Sequence, residues 1–135
     1  MDFSGVIIEE SLSDTGILRS IKIVDTKIVN VTDKHETPWL KQWTMHTVSV
    51  SMQDAEDVAA KLANALDVEH IGNWYADFKN YRFHYVIFPG KIFKLDKKIK
   101  ADWDSMQKYA LSIGLPEHQT LAFEGIDEME RESRE

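Results

Sequence analysis

Residues 74–95 constrain the fold most strongly, because two turn signals divide them into three short segments rich in aromatic and β-branched residues. The first signal is Asn80 with Tyr81, since asparagine tolerates a positive φ, and the second is Pro89 with Gly90. Strands that are joined by such short turns pair with their neighbours in sequence. The stretch therefore predicts a meander of three antiparallel strands.

A two-residue loop at Asn80 and Tyr81 also predicts which residues lie opposite each other. The expected cross-strand pairs are Phe78 with Phe83, Asp77 with His84, and Ala76 with Tyr85. Because side chains alternate between the faces of a sheet, the meander sorts into two sets. The first, typical of a core face, is Trp74, Ala76, Phe78, Phe83, Tyr85, Ile87 and Ile92. The second, of mixed polarity, is Tyr75, Asp77, Lys79, Arg82, His84, Val86 and Phe88.

Three earlier segments also have the composition of strands. Residues 5–12 predict a first strand, and residues 39–50, rich in Trp, Thr and Val, predict a long one. In residues 20–32 the apolar positions change phase around a polar stretch at Asp25 to Lys27. Such a change predicts either a β-bulge or two consecutive strands.

Two segments have the spacing of amphipathic helices. Apolar residues recur at three-and-four spacing from Ala55 to Leu66 and again from Trp103 to Ile113, where Gly114 is placed to end the helix. Strands occur in consecutive runs, without a glycine-rich phosphate loop or regular alternation with helices. We therefore predict an α+β fold, with a mainly antiparallel sheet and both amphipathic helices packed on one face.

Length and charge predict the domain organisation. The 135 residues suit a single globular α+β domain over residues 1–123, followed by an acidic, flexible tail over residues 124–135. That tail carries six acidic and two basic residues, a net charge of −4 of the total −7. This balance disfavours duplex nucleic acid as a partner, because phosphate binding needs clustered positive charge. No apolar run reaches the roughly 20 residues of a membrane span, so we expect a cytoplasmic protein that does not bind membranes.

Asp77 and His84 are the candidate catalytic residues. A carboxylate beside an imidazole can orient the ring and raise its basicity for proton transfer, although such cross-strand pairs also stabilise exposed sheets. Tyr75, Lys79 and Arg82 belong to the same face and are candidate ligands of an anionic molecule. As a solvated sheet face, the same three residues would need no ligand.

Residues 37–46 contain the second group of candidate binding residues. Alternation places Trp39 and Trp43 on one side of the strand, where two indoles can stack a base or another flat ligand. It places His46 on the opposite side, where its ring could face a polar pocket or be a structural histidine. The two tryptophans are equally consistent with a core or a subunit interface.

Metal binding and cofactors are not predicted. The chain has no cysteine, and its five histidines show no short ligand spacing, so we expect no metal site. A site formed by His46, Asp77 and His84 is left open, because strands far apart in sequence can be neighbours in a sheet.

Four segments resemble a family of small uncharacterised prokaryotic proteins. They are residues 37–46 (TPWLKQWTMH), 74–80 (WYADFKN), 84–88 (HYVIF) and 91–96 (KIFKLD). The resemblance extends over about residues 5–123 and implies a prokaryotic cytoplasmic domain. It implies no activity and no catalytic residues.

Three functions follow as hypotheses. The first is a binding module that takes a small molecule or a protein through the mixed face around Trp39, Trp43, Tyr75, Asp77 and His84, with a homodimer as its simplest form. The second is an enzyme that uses His84 as general base and Asp77 to orient it, with Lys79 or Arg82 stabilising negative charge. The third is binding of single-stranded nucleic acid by stacking on the two tryptophans.

Overall fold

A computed structural model describes residues 2–31, 40–69 and 74–115, and these ranges form a six-stranded antiparallel sheet with helices. The strands are β1 (Phe3–Ile8), β2 (Lys22–Asn30), β3 (Gln42–Val50), β4 (Ala76–Lys79), β5 (Phe83–Phe88) and β6 (Lys91–Asp96). The α-helices are α1 (Ala55–Ala65) and α2 (Lys100–Ser112), and two short 3-10 helices, Glu9–Ser11 and Thr15–Ser20, follow β1. The strand order is β2-β3-β1-β4-β5-β6. The predicted α+β class is confirmed, while the acidic tail lies outside the described residues.

The predicted three-strand meander is confirmed, but its first hairpin has a different register. Lys79 lies opposite His84, and Phe78 lies opposite Tyr85, so the predicted pairs are displaced by two residues. The cause is the side chain of Asn80, whose Oδ1 accepts hydrogen bonds from the backbone N–H groups of Arg82 and Phe83. An asparagine that bonds its following backbone in this way holds a longer loop than a two-residue turn. Because the displacement is an even number, the predicted division into two faces still holds.

The two helices lie on opposite faces of the sheet, so the prediction that they share one face is wrong. Helix α1 belongs to the core that contains Phe78, Tyr85 and Ile87. Helix α2 belongs to a second core built on Val86 and Phe88, the alternate residues of the same strand. The reason is that β5 is buried over five consecutive residues, 84–88, which is typical of a central strand with apolar layers on both sides. The mixed face therefore has its own apolar core beneath α2.

Two further strand predictions are settled by the structure. The phase change in β2 is a bulge, since the pairing register with β3 shifts between Ile23 and Asp25. The first strand ends at Ile8 instead of continuing to residue 12, because a 3-10 helix begins at Glu9. Leu12 then contacts the end of α1 through an isolated bridge to Leu66.

Candidate functional site

The face that carries α2 also has a pocket beyond the helix, over strands β3, β1 and β4. Its volume is about 170 Å³. The lining residues are mostly apolar or aromatic, with one carboxylate: Val6, Ile8, Trp43, Met45, Trp74, Tyr75 and Asp77. The register explains how these side chains meet, because Val6 lies between Thr47 of β3 and Asp77 of β4. The pocket therefore depends on pairing between strands that are distant in sequence.

Two indole rings form the aromatic corner of the pocket. The ring centroids of Trp43 and Trp74 are 5.8 Å apart, and the ring planes are inclined at 56°. Trp74 is buried in the core on which α1 packs, whereas Trp43 is half-buried at its margin. One indole is thus held by the core, and the other presents part of its surface to the pocket.

The carboxylate of Asp77 is held in place by a buried histidine. The Nε2–H of His84 donates a hydrogen bond of 2.8 Å to Oδ2 of Asp77. The side chain of His84 is 1% exposed, whereas that of Asp77 is 24% exposed and lines the pocket. The predicted contact between these residues is confirmed, although they are diagonal neighbours rather than directly opposite. The arrangement places His84 behind Asp77, where its bond orients the carboxylate toward the pocket.

Tyr75 completes the polar part of the lining. Its burial, and secondly the nearby carboxylate of Asp77, raise the pKa of the phenol well above its ordinary value of 10.0. The phenol therefore stays protonated across the physiological range and can act as a hydrogen-bond donor.

The raised pKa of Tyr75 predicts a specific alkaline instability. Above about pH 10 the tyrosine ionises in the unfolded chain but not in the folded protein, so the free energy of unfolding should fall by up to about 1.4 kcal/mol per pH unit. Below that pH the tyrosine contributes no pH dependence. Urea unfolding at a series of pH values should show a steeper alkaline fall for the native chain than for Tyr75→Phe. Parallel pH profiles for the two proteins would contradict this assignment.

The structure brings only some of the sequence-predicted residues to this pocket. Trp43, Tyr75 and Asp77 line it, and His84 supports it from behind. His46 faces the other side of the sheet, with its Nδ1 2.9 Å from Oγ1 of Thr26 and its Nε2 3.2 Å from Oε1 of Glu9.

Two cationic candidates lie outside the pocket lining, and one aromatic candidate cannot be placed. Arg82 is in the β4–β5 loop, where its Nε is 3.5 Å from Oδ2 of Asp96. Lys79 is at the end of β4, opposite Ser4 and His84, and does not line the pocket. Trp39 lies outside the described residues.

Sequence reasoning missed several lining residues. Val6 and Ile8 belong to the first strand, and no sequence signal places that strand between β3 and β4. Met45 could have been predicted as a lining residue, because alternation puts it on the same side of the strand as Trp43. Alternation predicts that Trp74 lies on the core face, and the structure shows that it contributes to both the core and the pocket.

Within residues 2–31, 40–69 and 74–115, no group of three or more acidic or histidine side chains is arranged to hold a metal ion. In particular, His46 is separated by the sheet from Asp77 and His84, so the metal site left open by the sequence does not form. Neither described helix is long and apolar enough to cross a membrane.

No protein-family model, curated protein or solved structure matches this chain. The resemblance to uncharacterised prokaryotic proteins therefore stays a prediction.

Proposed function

We propose that the protein is a ligand-binding module whose pocket takes the cationic head group of a small organic molecule. The observation that supports this most directly is that two indole rings and an oriented carboxylate line one concavity. Aromatic faces attract cations through the negative potential of their π-systems, and this attraction is strongest for tryptophan. A carboxylate in the same lining adds an opposite charge.

The size of the pocket limits what can enter. A cavity of about 150 Å³ holds a benzene molecule, so about 170 Å³ suits a group of roughly six to eight non-hydrogen atoms. A choline group, with seven non-hydrogen atoms, has this size, whereas a whole nucleotide or a drug-sized ligand does not. We therefore infer that a head group is bound in the pocket and that the remainder of the ligand extends along the sheet face.

The charge of the lining favours a cation over an anion. Asp77 is the charged residue of the lining, and no lysine or arginine is among the described residues that form it. The anionic ligand considered from Tyr75, Lys79 and Arg82 would meet a carboxylate there, with neither cationic side chain in the lining. The phenol of Tyr75 is neutral and is compatible with either a cationic or an anionic ligand.

The catalytic hypothesis has weaker geometric support than the binding hypothesis. His84 is almost completely buried, does not line the pocket, and uses its Nε2 to hold Asp77. A general base needs hydrogen-bond reach to a proton of the substrate. In this arrangement the histidine is better suited to positioning the carboxylate than to proton transfer.

Choline and its uncharged isostere, in which carbon replaces nitrogen, test the proposed function by titration of the tryptophan fluorescence. We expect choline to quench or shift the emission saturably, and the isostere to bind at least about tenfold more weakly, because it lacks the charge that the indoles and Asp77 attract. Asp77→Asn should weaken choline binding by about tenfold while preserving the fold, since Oδ1 of the amide still accepts from His84.

Asp104→Asn, which removes an equal charge from the exposed surface of α2, is the matched control and should bind choline normally. Equal affinities for choline and its isostere, or an unchanged affinity in Asp77→Asn, would contradict the proposal. The cytoplasmic location and the prokaryotic origin expected from the sequence stay predictions.

A further inference from the structure

Strand β2 forms one edge of the sheet, and almost all of it is exposed. Eight of its nine residues, Lys22–Asn30, are exposed and the remaining one is half-buried. Two large apolar side chains, Val24 and Ile28, are 62% and 60% exposed. Among the described strands, only β3 pairs with it. A long apolar edge strand is a template for pairing with another strand, and proteins usually shorten it, cover it or charge it.

The sequence of β2 is complementary to itself when it is read in the opposite direction. In an antiparallel pair of two copies centred on Thr26, Asp25 of each copy lies opposite Lys27 of the other. The exposed Val24 then lies opposite the exposed Ile28. Each of these contacts occurs twice, once on either side of the two-fold axis, as an isologous interface requires. Opposite charges and apolar pairs facing each other across strands are both stabilising.

The neighbouring registers lack this complementarity. In an antiparallel pair the two-fold axis can pass through a hydrogen-bonded or a non-hydrogen-bonded pair of residues. The residue at the centre of the register can therefore change by one at a time. Centring the pair on Lys27 or on Asp25 places two like charges directly opposite each other, which is destabilising. The register centred on Thr26 is flanked on both sides by unfavourable ones and is therefore specified by charge.

The bulge in β2 is compatible with this register. The register shift between Ile23 and Asp25 means that Val24 is the extra residue, which leaves Asp25 to Asn30 in regular alternation. A two-fold axis perpendicular to the sheet keeps each face with the same face of the other copy. Asp25 and Lys27 thus meet on one face, and the two copies of Thr26 meet on the other.

From this complementarity we infer that two copies of the chain form a homodimer by antiparallel pairing of their β2 strands, which joins their sheets into one. This route differs from the dimer expected through the mixed face, because Val86 and Phe88, the apolar members of that face in β5, are buried beneath α2. It is independent of the pocket and does not depend on the proposed ligand. A strand-edge contact buries little area, so we expect a weak dimer with Kd on the order of 0.1 mM.

Sedimentation equilibrium of the full chain over a range of concentrations tests the charge pattern. Lys27→Glu places an acidic residue opposite Asp25 on both sides of the two-fold axis and should raise the dimer Kd at least about tenfold. The charge exchange Asp25→Lys with Lys27→Glu should restore dimerisation. Lys108→Glu, an equal charge change at an exposed position of α2, should leave it unchanged.

Disulfide trapping tests the register, and the chain is suited to it because it has no cysteine of its own. With Thr26→Cys, the introduced cysteines lie opposite each other, at about 5 Å between Cα atoms, and should form a covalent dimer on mild oxidation. With Ile28→Cys, they are separated by about 13 Å along the strands and should not. Circular dichroism would verify that both variants are folded.

The result that supports the inference is a dimer with cross-linking specific to position 26 and rescue by the charge exchange. A chain that is monomeric at millimolar concentration would overturn it. So would a dimer that is unaffected by Lys27→Glu, or equal cross-linking at positions 26 and 28, because the copies would then associate through another surface or register.

Discussion

Gly5→Ala should destabilise the protein by at least about 3 kcal/mol, although it only adds one methyl group. Gly5 lies in β1 between Val48 of β3 and Phe78 of β4. A Cβ atom added there would clash with the backbone carbonyl oxygen of Asp77 and would lie 2.7 Å from Cα and Cβ of Phe78. Relief requires separation of β1 from β4, because the obstructing atoms belong largely to the backbone. Urea unfolding followed by circular dichroism would measure the loss.

Gly16→Ala is the matched control for this substitution. The nearest atom to an added Cβ at Gly16 is Oδ1 of Asp14, at 3.0 Å, which is the end of an exposed side chain that can move. We expect a change below about 1 kcal/mol. Comparable losses at positions 5 and 16 would contradict the close packing of β1 against β4, and with it the geometry that places Val6 beside Asp77.

Trp74→Ala and Trp43→Ala should separate stability from binding. Trp74 is 1% exposed and belongs to the core under α1, so its truncation should cost about 4 kcal/mol. Trp43 is half-buried, and its truncation should cost about 1 to 2 kcal/mol but remove most of the choline affinity, because the exposed wall of the pocket is lost.

Thermal or urea unfolding together with choline titration would measure both quantities on the same samples. Trp103→Ala provides a control for the loss of an indole, since Trp103 packs against the other core, beneath α2, and does not line the pocket. It should leave the affinity for choline unchanged. A Trp43→Ala protein that binds choline as well as the native chain would exclude the aromatic corner as the binding surface.

Much of the fold could be predicted because alternation and turn chemistry act locally. Gly90 has a φ of 72° and Gly114 has a φ of 97°. The turn before β6 and the end of α2 therefore lie at the glycines from which they were predicted. The loop at Asn80 could not be predicted in detail, because its length depends on two side-chain hydrogen bonds that compete with a tighter turn. The placement of α2 could not be predicted either, since alternation in β5 identifies two faces without saying which helix covers each.

The candidate site was predicted in part for the same reason. Asp77 lies in β4, Tyr75 directly precedes that strand, and Trp43 lies on the same face. A period of two residues therefore groups these side chains once a sheet is assumed. The contribution of Val6 required the strand order, in which β1 lies between β3 and β4, and no local pattern encodes that order. His46 lies in the same strand as Trp43, but it is an odd number of residues away and therefore lies on the opposite face of the sheet.

The most direct test of the proposed cation site is an NMR titration of the isotopically labelled chain with choline, followed through the indole N–H and backbone amide resonances. We predict saturable shifts of the indole signals of Trp43 and Trp74 and of the amide of Asp77, with the indole of Trp103 unaffected. The uncharged isostere should produce much smaller shifts at the same concentrations. Shifts confined to other surfaces, or none at millimolar choline, would contradict the account.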